Sequence, residues 1–187
     1  MRTALRWIVA LSLVAASAGL AYAQAFENAP TATLGVGMMI PTGSMSDFYG
    51  PGITGRVSVR MPISQGMSFG VESGIMAPNQ KSGSQTLYQY PVRALLYFPL
   101  ASEASSTPYF ALGPGVTFNS VGDDAQSGGS KDQDPTFTYA LKIGWAFRPE
   151  HMTSTIFELG ARYEQQFIGH SPDFQTVELE ACVGRTF

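Results

Sequence analysis

Apolar and polar residues alternate one by one along most of this chain, in segments of about ten residues bounded by Gly, Pro, Ser and Asp. Eight such segments stand out, at about 32–41, 52–62, 67–77, 86–98, 108–118, 136–147, 153–164 and 174–187. No helical period competes with them. The connections after the second, fourth and sixth segments read as short, and the others as mostly longer and more polar, the longest running through residues 119–135. Tight turns at one end and loops at the other predict an all-β, eight-stranded antiparallel up-and-down sheet closed into a barrel. Eight strands of about eleven residues use about 88 positions and leave about 76 for connections and a tail, so no second domain fits.

The two faces of these strands differ in kind. Ile53, Val57, Val59 and Met61 share one face of the second segment, and Thr54, Arg56, Ser58 and Arg60 the other. In the sixth, Phe137, Tyr139, Leu141, Ile143, Trp145 and Phe147 oppose Thr138, Ala140, Lys142, Gly144 and Ala146. The last sets Val177, Leu179, Ala181, Val183 and Phe187 against Thr176, Glu178, Glu180, Cys182 and Gly184. Successive side chains in a strand point to opposite sides, which produces this pattern. The interior of an eight-stranded barrel is just wide enough for side chains to fill. The bulky apolar set would overfill it, at about 1–3 kcal/mol per overpacked site. The other face is rich in Gly, Ala and Ser, which suits a cramped lumen. The polar face therefore belongs inside, and the apolar face belongs against lipid.

Sorting the strand charges by parity gives the same answer. Arg56, Arg60, Glu72, Arg93, Lys142, Glu158, Arg162, Glu178 and Glu180 all fall on the small, polar face. The apolar face carries only Arg185, two residues from the end, where a charge is cheap. At the bilayer midplane it would cost about 2–4 kcal/mol. Five cations against four anions are close to neutral, and they predict a paired network that plugs the lumen. The competing reading of the same residues is a selective pore or a proton-handling site. Aromatics gather toward both strand ends: Tyr88, Tyr90, Phe137, Tyr139 and Tyr163 at one, Phe69, Phe98, Phe110, Trp145, Phe147 and Phe187 at the other. Amphipathic rings belong at the two membrane–water boundaries.

Charged residues make up only 13% of the chain, against about 25% in soluble domains. Residues 1–23 read as a removable secretory leader. Arg2 and Arg6 precede an apolar run from Trp7 to Ala16, and Ala21, Tyr22 and Ala23 set the cut before Gln24. Residues 24–187 are then the barrel domain. Losing Arg2 and Arg6 from the eleven basic residues leaves nine against fourteen acidic ones, which argues against a nucleic-acid partner. One Cys excludes an internal disulfide or a four-Cys zinc site.

The leader, the eight alternating segments and the closing run ValGluLeuGluAlaCysValGlyArgThrPhe resemble a small bacterial outer-membrane β-barrel of the OmpA-membrane-domain and OmpX type. LeuGlyValGlyMetMetIleProThrGly and ProTyrPheAlaLeuGlyProGlyVal also look like strands of the broad outer-membrane β-barrel domain family. The resemblance implies an outer-membrane location with a periplasmic N-terminus, and outer-membrane lipid and lipopolysaccharide as surroundings. It also implies that Phe187, with apolar residues at alternate positions before it, is the signal read by the barrel-assembly machinery. A monomer without cofactor is expected.

Barrels of this size include lipid A-modifying enzymes, one class using His, Ser and Glu with His and Ser one residue apart. Here His170 and Ser171 are adjacent, so in an extended strand they point oppositely, and Pro172 follows. Glu178 lies seven residues beyond Ser171, toward the membrane centre. This departs from the pattern, and no catalytic residue is assigned. His151 reads as a solvated turn residue. Asp123, Asp124, Asp132 and Asp134 crowd the longest loop without an EF-hand spacing, so no metal site is assigned, although oxygen ligands would suit weak Ca²⁺ or Mg²⁺ binding. The expectation is a non-enzymatic barrel with a structural or surface-interaction role. A narrow channel or hydrophobic-ligand passage is the alternative.

Overall fold

The computed structural model describes residues 29–64, 66–81, 86–100, 106–122, 131–132, 135–152, 154–167 and 174–187. The expected leader, and with it the cut before Gln24, lies outside the described residues, as do His170 and Ser171.

Eight long strands carry the fold: β1 (Thr31–Thr42), β2 (Tyr49–Ser64), β3 (Met67–Gln80), β4 (Thr86–Pro99), β5 (Ser106–Gly122), β7 (Thr136–Phe147), β8 (Thr155–Phe167) and β9 (Phe174–Thr186). A two-residue strand, β6 (Lys131–Asp132), extends the β5 edge, and a single helical turn, α1 (Met45–Phe48), joins β1 to β2. Each long strand pairs antiparallel with its sequence neighbours. The ring closes between first and last, from Thr31 opposite Thr186 to Thr42 opposite Gln175. Closure leaves no unpaired sheet edge, the condition for placing backbone in lipid. Among the described residues no helix is long and apolar enough to cross a membrane.

Both ends of the barrel wall, Thr31 and Thr186, sit at the same rim. That terminal rim also carries the connections β2–β3, β4–β5 and β7–β8, and the loop rim carries the rest. The turn at 64–66 is the tight one expected, with Gly66 at φ +86°. The expected contrast in length is only partly present. The β3–β4 connection spans just 81–85, whereas the terminal-rim connection β7–β8 takes 148–154, so the long-loop pattern rests on 123–135 alone. Turn chemistry, not the rim, sets these lengths: Pro149 and the residues after it form a hydrogen-bonded turn, Met152 N–H to Pro149 C=O at 2.9 Å.

The face assignment holds throughout. Ile53, Val57, Leu159, Leu179 and Ile143 are outward and at least half exposed, while Arg93 and Arg162 are almost wholly buried. Phe98 differs from its expected belt role, because it lies covered against Phe110, ring centroids 6.1 Å apart.

Candidate functional site: the lumen

All nine charges assigned to the inner face are buried, at most 5% exposed. Glu72 on β3 sits at the centre of the network. It meets Arg56 at 2.7 Å, Arg93 at 3.1 Å and Arg162 at 2.6 Å, so one carboxylate holds guanidinium groups from β2, β4 and β8. Glu180 gathers a second group: Arg56 at 3.2 Å, Arg162 at 3.4 Å, and the Lys142 ammonium. Arg56 also pairs with Glu178. Each contact takes side chains from different strands, so the network spans the lumen and does not run along one strand.

Toward the terminal rim the chemistry changes to cations over aromatic rings. Arg60 pairs with Glu158 and lies 4.8 Å from the Tyr97 ring centroid and 5.8 Å from that of Tyr109. Lys142 stands 5.4 Å from the Tyr109 ring, and the Tyr109 hydroxyl donates to Glu158 at 3.0 Å. A cation over a ring face is attracted by the ring's quadrupole, more strongly when desolvated. Glycines make the room. A Cβ on Gly144 would lie 2.5 Å from Tyr109 Cζ, and one on Gly70 would lie 2.8 Å from Tyr97 Cε2.

Toward the loop rim the lumen loses its charge. Gln89 Nε2 donates to Asn119 Oδ1 at 2.9 Å and to Gln166 Oε1 at 3.2 Å, and the Thr136 hydroxyl donates to the Thr117 carbonyl at 3.2 Å. Beside these amides lies an apolar cluster of Met39, Met45, Met76 and Leu87, packed against Tyr49 and Phe174.

One charge completes the set. Glu164 is fully buried and pairs with Arg93. It shares the parity of Glu158 and Arg162, so alternation along β8 was the signal that reaches it. With Glu164 the described residues place five cations and five carboxylates in the lumen. Tyr97 and Tyr109 follow the same rule, sharing parity with Arg93 and Ala111. Phe187, by contrast, faces outward at 73% exposure, its N–H bonded to the Pro30 carbonyl at 2.9 Å.

Glu178, weighed above as an acid partner for His170 and Ser171, belongs to the ion network, paired with Arg56. His151 is exposed in its turn. Among the described residues, no group of three or more His, Cys, Asp or Glu side chains is arranged to hold a metal ion. Three of the four acids of the longest loop lie outside the described residues, and so does the fourth's side chain.

A closed ring with an apolar outer wall and ion pairs across its bore is a transmembrane β-barrel. The chain belongs to the outer membrane protein beta-barrel domain family, whose pattern matches residues 8–187. No curated protein sequence matches it. Among solved structures it is similar to Neisserial surface protein A (NspA), with a TM-score of 0.71 and 17% identity over 84% of this chain and 97% of that one. It is also similar to Ail, the attachment invasion locus protein of Yersinia pestis, with a TM-score of 0.57 and 14% identity over 87% of this chain and all (100%) of that one. The outer membrane protein OprG of Pseudomonas aeruginosa matches with a TM-score of 0.58 and 10% identity, over 89% and 97% of the two chains. At such identities the likeness is one of fold. Family and fold together point to the bacterial outer membrane.

Proposed function

We propose that this protein is a monomeric outer-membrane barrel whose bore is closed by its own side chains, with a structural or surface-interaction role and no enzymatic activity. The observation that supports this is the matched set of five cations and five carboxylates, at most 5% exposed, crossing the bore. A conducting path would need to part these pairs. Separating one partner from a buried ion pair costs about 3–5 kcal/mol, far more than an exposed pair.

In this reading the terminal rim faces the periplasm and the loops face outward into lipopolysaccharide. The leader is removed on export, and the barrel-assembly machinery reads Phe187, whose outward ring is free to be engaged. Tyr88 and Tyr90 near the loop rim, and Trp145 and Phe147 near the terminal rim, sit where membrane boundaries would lie.

Current recorded across a planar bilayer holding the purified protein tests the closed bore: a flat baseline is expected, and sustained discrete openings would replace this reading with a narrow channel. Mass spectrometry of lipid A from cells with and without the protein tests the absence of catalysis. An unchanged acyl pattern is expected, and an altered one would make the barrel a lipid A-modifying enzyme.

A further inference from the structure

The outer wall of the barrel is not uniform. Across β7, β8 and β9 it is dented by a groove of about 250 Å³, lined by Leu141, Ile143, Ala161, Tyr163 and Val177. We infer that this groove, with the polar side chains at its loop-side end, holds one acyl chain of a lipid A molecule and hydrogen-bonds the linkage of that chain to its sugar.

The dent follows from the register. Ala161 on β8 stands between Ile143 on β7 and Leu179 on β9, both more than half exposed, so a single methyl group lies between two branched side chains that rise past it. Leu141, Tyr163 and Val177 form the next outward row toward the loops, since Tyr163 pairs with both of the others. Lys142 and Arg162 alternate with these residues but turn into the lumen, at most 4% exposed, and bring no charge to the groove.

The following row changes character. Gln165 pairs with Tyr139 on β7 and with Gln175 on β9, and Gln175 pairs with Thr42 on β1. All four share the parity of the lipid-facing wall and are half-buried, whereas the strand neighbours Glu164, Gln166 and Thr176 fill the lumen. Gln165 lies two residues before the end of β8 and Gln175 one after the start of β9, so both belong to the loop rim. Beyond them Phe137 and Phe167 form a ring pair, centroids 5.8 Å apart. Two amides, a phenol and a hydroxyl therefore stand on the outer surface between an apolar groove and an aromatic pair.

That arrangement selects a ligand. Hydrocarbon against hydrocarbon gives little preference, because lipid tails are as apolar as the wall. A carboxamide at the membrane boundary is different: it both donates and accepts, and it is costly to leave unpartnered in apolar surroundings. Lipid A carries amide-linked and ester-linked chains with hydroxyl groups, which offer both roles. The acyl esters of a glycerophospholipid only accept. No cation stands among the outward side chains of the groove or the amide row, so the contact is with the acyl linkage and not with a phosphate.

The inference rests on the proposed orientation, in which the loop rim faces outward and lipid A forms the leaflet around it. Native mass spectrometry of the folded full-length barrel, incubated in detergent with lipid A or with phosphatidylethanolamine, tests the site. One lipid A is expected to stay bound, with about tenfold higher occupancy than phosphatidylethanolamine at equal concentration. Ala161→Trp, which fills the groove, and the double change Gln165→Leu with Gln175→Leu, which removes the amides, should each lower retention about tenfold. Val57→Trp, outward on β2, should leave it unchanged. Shifted migration when unboiled verifies that each variant is folded. Equal retention of the two lipids, or lipid A retention that survives both the groove and the amide changes, would overturn the site. Orientation is read separately: in a Cys182→Ser background, Asp47→Cys on the exposed side of α1 should react with an impermeant maleimide on intact cells. Labelled cells without lipid A retention would sink the site alone, and unlabelled cells would overturn the outward loop rim and lipid A with it.

Discussion

Glu72 and Arg162 brace the barrel across its full width. They sit on β3 and β8, which stand opposite each other in the ring of eight long strands, and they meet through two parallel contacts, Nη2 to Oε2 at 2.6 Å and Nη1 to Oε1. A fork-to-fork pair of this kind fixes direction as well as distance. Because Glu72 also holds Arg56 and Arg93, a single carboxylate meets three buried guanidinium groups.

Glu72→Gln is therefore expected to destabilise the folded barrel by about 3–5 kcal/mol, the usual cost of leaving buried charge without its partner. Urea titration of the barrel in lipid vesicles, followed by tryptophan emission, measures it. Because the pairs are shielded from solvent, raising the salt from about 0.1 M to 1 M should change the loss little, whereas exposed pairs would be screened. A loss under about 1 kcal/mol would show that the three arginines find other partners.

Packing around the tyrosines makes a sharper claim. Gly144 faces Tyr109 across the β5–β7 ladder, and a Cβ there would lie 2.5 Å from the ring and 2.6 Å from its oxygen. Gly144→Ala should cost about 1–3 kcal/mol by overpacking. In a Tyr109→Ala background the same change should cost under about 0.5 kcal/mol, since the obstacle has gone. Equal costs in both backgrounds would place the strain elsewhere.

These two sites mark what alternation reveals and where it stops. Parity assigns a face, and it placed Arg56, Arg93, Arg162 and Glu180 inside without error. It does not assign depth around a tilted ring, so it could not pair Glu72 with three arginines from other strands. That pairing depends on stagger, which the pleat does not encode. Glu164 was within reach of the same parity rule. Met45 was not: it lies in a connection with no period, on a turn too short to leave a helical pattern. Met39, Met76, Leu95 and Ile156 are apolar residues buried on the inner face, because alternation assigns the face and not the chemistry of each position on it.

The lipid-facing wall gives a depth-dependent prediction. Leu179, half exposed at mid-strand, points outward between Met38 and Ala161. Leu179→Arg is expected to cost about 2–4 kcal/mol in vesicles, and Val183→Arg, nearer the strand end, about 1 kcal/mol or less. The native Arg185 near the rim follows the same gradient. If both substitutions were equally mild and the variants stayed folded without detergent, the wall would be facing water.

The native thiol reports on the other end of the bore. Cys182 is the chain's single cysteine, and it points into the lumen between Gly35 and Glu158 while only partly buried. On its loop side Glu178, Glu180 and Arg56 are at most 5% exposed, so solvent reaches it from the terminal rim. A small methanethiosulfonate should thus modify Cys182 in the folded barrel faster than it modifies the thiol of Gln89→Cys. Thr186→Trp, which narrows the terminal rim, should slow Cys182 several-fold. A rate unchanged by Thr186→Trp would mean that solvent reaches the thiol through the ion network, and the two ends of the bore would then be one continuous path.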